Sequence, residues 1–225
     1  MAWFPDFYRS AVGKKAVMAG SGIVLFGFVL LHMIGNLKLY EGREGLNSYA
    51  AFLRSAGTPA LPASGLLWAV RAVLLAAVVL HLWSAWQLTL LSREARPSRY
   101  AVRSRIHTRY AARTMRWGGV IILLFVIYHL LHFTWGTVHP RFVAGDVYHN
   151  VVTGFRVWWV ALFYVVAQVA LGLHLDHGLW SLFQSLGWSH PRFNRWRNGF
   201  AHAFALLITA GNVSFPLAVL AGWVR

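Results

Sequence analysis

Residues 117–138 read WGGVIILLFVIYHLLHFTWGTV, and this stretch decides the fold. It holds no Asp, Glu, Lys or Arg, has Trp117 and Trp135 towards its two ends, and encloses two histidines, His129 and His132. A helix rises 1.5 Å per residue, so about 20 apolar residues cross the hydrocarbon core of a bilayer. In lipid such a segment must satisfy its own backbone hydrogen bonds, which selects the helix. An ionisable side chain within it is costly and marks a functional position by default.

Four further stretches are likewise long and predominantly apolar, at 16–38, 66–91, 157–186 and 199–222. The chain is therefore predicted to be all-α, a polytopic membrane protein of five transmembrane helices forming one domain over residues 1–225. Trp68, Trp117, Trp135, Trp158, Trp188, Trp196 and Trp223 fall near the span edges, where interfacial aromatics belong. Only 12% of the 225 residues are charged, against about a quarter in soluble domains. The connections, such as Ser55–Pro59 and His190–Arg192, read as short loops. Residues 1–15 are polar and aromatic and carry no cleavage pattern of a signal peptide. The absence of cysteine excludes disulfides, thiolate metal sites, iron–sulfur ligation and covalent haem attachment.

Lys and Arg number 21 against 6 Asp and Glu. This surplus sits between apolar runs, so it reads as a topology signal and a surface for membrane lipid or protein, with no nucleic acid as partner. The N-terminal segment, the second loop and the fourth loop together hold 14 basic residues, and the opposite side holds 6, with Arg71 inside a span. The positive-inside rule then places the N-terminus in the cytoplasm and the C-terminus outside, in the cell inner membrane. The second loop alone carries eight arginines, from Arg93 to Arg116, more than orientation requires, and is a candidate docking surface.

Spans one to four each carry histidine: His32; His81; His129 and His132; His174 and His177. Counted from the outer span ends, His32 and His129 lie about seven and nine residues deep, and His81 and His174 about fifteen and seventeen. The two levels are roughly 12 Å apart, each with one histidine from each of two helices. Two imidazoles approaching iron from opposite faces is the arrangement of bis-histidine haem ligation. The expectation is two haem b, one between His32 and His129 and one between His81 and His174. In spans three and four the second histidine, three residues on, lies on a nearby face and competes for the same role. Gly20, Gly22, Gly27, Gly35, Gly118, Gly119 and Gly172 provide room for a macrocycle, or equally for close helix packing. Lys14, Lys15, Ser21, Arg113 and Arg116 are placed to meet propionates of the inner haem. A carboxylate-bridged di-iron centre needs several in-span glutamates. The three glutamates here, Glu41, Glu44 and Glu94, lie outside the spans.

Longer blocks make the sequence recognisable. They are Ser10-Ala-Val-Gly-Lys-Lys15, Leu31-His-Met-Ile-Gly-Asn-Leu37, Val79-Leu-His81 with Ala85-Trp-Gln-Leu-Thr89, and Tyr128-His-Leu-Leu-His-Phe133. The strongest is Gly172-Leu-His-Leu-Asp-His-Gly-Leu-Trp-Ser181 followed by Phe183-Gln-Ser-Leu-Gly-Trp188. In order and helix placement, over nearly the whole chain, these blocks resemble the diheme cytochrome b membrane-anchor subunit of succinate dehydrogenases and fumarate reductases, the single-polypeptide, five-helix type.

The resemblance implies His129 and His174 as ligands over His132 and His177. It leaves His177 in a His-Gly element that either meets a propionate or quinone or makes a packing hydrogen bond. It implies a flavoprotein subunit and an iron–sulfur subunit on the cytoplasmic side, with electrons carried through the haems to or from a membrane quinone, menaquinone rather than ubiquinone. Some fumarate reductases of the family carry a proton-conducting glutamate two residues before the fourth-span ligand. Gly172 stands there instead, and Asp176 lies on another helix face. The expectation is succinate oxidation without that proton path. The competing readings are the cytochrome b subunit of another respiratory oxidoreductase and a haem-free proton-coupled transporter.

Overall fold

The computed structural model describes residues 3–95, 110–188 and 190–225. Among the described residues eight α-helices follow in order: α1 (Trp3–Arg9), α2 (Ala11–Asn36), α3 (Gly42–Ser55), α4 (Gly65–Glu94), α5 (Tyr110–His129), α6 (Val147–Phe155), α7 (Trp158–Ser185) and α8 (Pro191–Leu220). A tight 3-10 turn joins α2 to α3, and a wide π turn over Leu130–Thr134 prolongs α5. No strand occurs among the described residues. Most of the arginine-rich second loop, from Arg96 to Arg109, lies outside the described residues.

Five of these helical stretches are long and apolar enough to cross a membrane. Their ends differ from the sequence reading where local chemistry sets the boundary. The third span stops at Thr134 rather than 138, and Gly136 just beyond takes a φ of 75°, a conformation that favours glycine. The fifth begins at Pro191 rather than 199. Proline needs no N–H partner in a first turn, and the His190 ring accepts from Arg192 N at 3.3 Å. Ser10 starts α2 in the same manner, its Oγ accepting from Gly13 N at 2.9 Å.

The expectation of short loops is corrected at one end of the bundle, where two connections fold into the helices α3 and α6. Both are half-apolar: α3 buries Leu46, and α6 buries Val152 and Phe155. They are tied to each other through Asp146, which accepts from Asn47 Nδ2 at 2.9 Å and from Arg43. Tyr148 links this cap to the C-terminus by donating its hydroxyl proton to Arg225 O at 2.8 Å. At the other end Tyr8 donates to Gln87 Oε1 at 3.0 Å, fastening α1 to the last turns of α4.

Packing divides the spans unequally. Helix α7 packs closely on α8 and on α5, and α2 packs on α4. By contrast, α2 and α5 do not pack closely on each other, nor do α4 and α7. Small residues allow the close approaches, as expected where van der Waals contact rather than hydrophobic burial holds helices together. Ala161 and Ala201 are fully buried, and a Cβ on Gly172 would run into Thr209 of α8. Outward faces are strongly apolar, especially on α4, which buries only Ala77 and Ser84. All seven tryptophans at the span edges are exposed, on both ends of the bundle.

Candidate functional site

The loosely packed seam between the α2–α4 pair and the α5–α7 pair is where the histidines meet. His32 of α2 faces His129 of α5 with ring centres 5.9 Å apart and planes at 84°. His81 of α4 faces His174 of α7 with ring centres 6.2 Å apart and planes at 63°. These are the two pairs that depth counting selects. Two imidazoles bound to one metal at about 2 Å per bond place their ring centres roughly 6 Å apart. Among the described residues, no three His, Asp or Glu side chains converge to hold a bare metal ion. A set of two facing imidazoles fits a metal that brings its remaining ligands with it, as haem iron does.

The second nitrogen of each ring bears on the same point. A metal-bound histidine ordinarily directs its other nitrogen at a carbonyl or another polar group, fixing the tautomer. Nδ1 of His81 lies 3.2 Å from Met18 O, a contact that leaves Nε2 uncommitted. Nδ1 of His129 lies 3.4 Å from the Tyr164 hydroxyl. Nδ1 of His174 is buried without a hydrogen-bond partner, with the Met115 backbone as its polar neighbour. His32 stacks on Phe28, one turn earlier, at 5.2 Å and 16°.

The glycines separate into two groups. A Cβ on Gly22 would lie 3.6 Å from His81 Cε1, and one on Gly119 would lie 3.9 Å from His174 Cε1, so a glycine adjoins each ring of that pair. On Gly20 or Gly27 it would meet nothing within 4 Å. Gly35 and Gly172 are packing glycines instead, set against Tyr49 and Thr209. The residues present thus fit a planar group between the helix pairs.

The remaining sequence candidates have definite places. Ser21 is buried, bonds back to Val17 O at 2.8 Å, and touches His81 Nδ1 at 3.3 Å. Lys14 is committed locally, its Nζ donating to Arg9 O at 2.6 Å and Tyr8 O at 3.2 Å. Arg116 is exposed, and the side chain of Arg113 lies outside the described residues. His177 packs on Trp180 with ring centres 5.8 Å apart and lies near His174.

Three features escape the sequence reading. His132 is fully enclosed, and its Nδ1 lies 3.1 Å from the Tyr164 hydroxyl. Asp176, which faces α8, has its Oδ1 2.5 Å from His202 Nδ1, a close contact without hydrogen-bond geometry that brings a histidine of the fifth span against a carboxylate. Tyr164 itself carries no pattern that singles it out in a run of apolar residues; only its position between two histidines does so. No family model, no curated protein and no solved structure matches this chain.

Proposed function

We propose that this chain is the membrane-anchor cytochrome b subunit of a succinate:quinone oxidoreductase, holding two b haems between His32 and His129 and between His81 and His174. The observation that carries the haem reading is the two pairs of facing histidines, each set between two helices, α2 and α5 or α4 and α7, that do not pack closely on each other. Haem b supplies reversible one-electron transfer when bound. The chain's own residues orient the imidazoles: Met18 O and Ser21 fix the His81 ring, and Tyr164 meets the His129 ring. The apolar helices around the seam exclude water.

The dicarboxylate and quinone assignment is supported by the sequence blocks around these histidines. In this reading a flavoprotein subunit and an iron–sulfur subunit dock at the end carrying α1 and the arginine-rich second loop. That end is cytoplasmic by the distribution of Lys and Arg, in the inner membrane. Menaquinone is the partner in the membrane, and succinate oxidation is the working direction. The test is a pyridine-haemochrome assay with a redox titration of the complex purified from membranes. Two haems b per chain with separate midpoints are expected, and absence of haem would sink the proposal. Succinate-dependent reduction of those haems in the same preparation tests the partner assignment separately.

A further inference from the structure

Tyr164 of α7 stands between two histidines of the α5 end, and its ring is held from several sides. It is buried, with Phe125 and Phe155 edge-on at 5.0 Å each and Phe133 at 5.5 Å. Its hydroxyl lies 3.1 Å from His132 Nδ1 and 3.4 Å from His129 Nδ1. The π turn at Leu130–Thr134 brings this about. Its extra residue per turn rotates His132 relative to a regular helix, and such turns recur at functional sites. His132 stacks in turn on His139, with ring centres 4.7 Å apart.

The direction of the hydrogen bonds follows from His139 and His129. His139 Nδ1 accepts from Arg141 N at 3.1 Å, so its proton is on Nε2, which donates to Asn150 O at 2.9 Å. His139 is thereby a fixed ring against which His132 is stacked. If His129 gives Nε2 to iron, its Nδ1 carries the proton and donates to the Tyr164 oxygen. The Tyr164 proton then has one acceptor, His132 Nδ1.

We propose that Tyr164 and His132 are positioning residues for His129, forming the directed chain His129 Nδ1–H to Tyr164 O–H to His132 Nδ1. This rests on the reading of His32 and His129 as haem ligands. The chain selects the tautomer that presents Nε2 to iron. By accepting a hydrogen bond from Nδ1–H it also makes the His129 imidazole a more basic ligand, favouring ferric over ferrous iron. The other pair has its own, separate contacts, Met18 O and Ser21 at His81 and the Met115 backbone near His174, and neither Tyr164 nor His132 is among them. The Tyr164–His132 chain therefore acts on the His32–His129 haem and not on the other.

The experiment uses the full chain in its complex, purified from membranes, with haem content and each haem's midpoint measured in wild type, Tyr164→Phe, His132→Leu and His132→Gln. Tyr164→Phe is expected to keep both haems and raise the midpoint of the His32–His129 haem, with the other unmoved. The expected change is up to tenfold in the ferrous-to-ferric ratio, or about 59 mV for one electron. His132→Leu should move the same midpoint the same way, and His132→Gln, which keeps an acceptor, should restore it. Should Tyr164→Phe lose that haem, the midpoint is read from the two His132 variants, where Tyr164 is intact. Midpoints unmoved in every variant, or both haems moved alike, would overturn the proposal while leaving the haem reading intact. A wild type without haem removes both.

Discussion

His32 and His129 meet across two helices, α2 and α5, that do not otherwise pack closely, their ring centres 5.9 Å apart. Removing either ring takes away one of two axial donors at the same place. His32→Ala and His129→Ala should therefore each lose the same haem, and His81→Ala and His174→Ala the other. The measurement is haem content with difference spectra. A variant at His132 that lost a haem while His129→Ala kept both would reassign the α5 ligand.

Ser21 touches His81, yet the ring keeps its contact to Met18 O at 3.2 Å when the hydroxyl is gone. Ser21→Ala is expected to cost about 1 kcal/mol from the lost hydrogen bonds, seen as a lower Tm in detergent. Haem content should stay at the wild-type level. Loss of one haem in this variant would instead place the hydroxyl on the haem itself.

Asp146 is set between opposing influences. Its burial favours the neutral acid, but the bonds from Asn47, the His149 N–H and Arg43 together outweigh it and hold the carboxyl below its ordinary 3.8. A depressed folded-state value contributes stability above the unfolded value, lost as pH falls through the folded one. Thermal stability in detergent should therefore fall as pH drops below about 3.8, and Asp146→Asn should flatten that decline. Asp146→Ala also removes the cap of α6, at a cost of about 1 kcal/mol at neutral pH.

Gly172 lies against Thr209 with no room for a Cβ. Gly172→Ala should force α7 and α8 apart and cost about 1–3 kcal/mol, as overpacking does. Adding Thr209→Ala should recover most of the loss, measured by thermal unfolding of the single and double variants. A glutamate at 172 would meet the same obstruction, so Gly172→Glu is expected to be more damaging than Gly172→Ala.

Asp176 and His202 couple the same two helices 2.5 Å apart, with the carboxylate mostly buried. A double-mutant cycle with Asp176→Asn and His202→Gln is expected to show a coupling of about 0.5–3 kcal/mol. Additive effects would reduce the contact to a coincidence of packing.

The five spans and the depths of their histidines are legible in the sequence because hydropathy and rise per residue accumulate along the chain, independent of neighbours. The same reasoning could pair His32 with His129 and His81 with His174. It could not show that α2 and α5, or α4 and α7, stand apart, since helix separation depends on which faces pack elsewhere. The caps α3 and α6 are not legible in the sequence because their apolar residues are few and stabilise a helix only when Leu46, Val152 and Phe155 are buried. His132 and Asp176 were visible as residues but not as contacts: a single π turn redirects His132 to Tyr164, and the rotation of α7 decides that Asp176 meets His202. Sequence set the spans and the histidine levels; tertiary packing decided what each ring touches, because direction around a helix is fixed only by its neighbours.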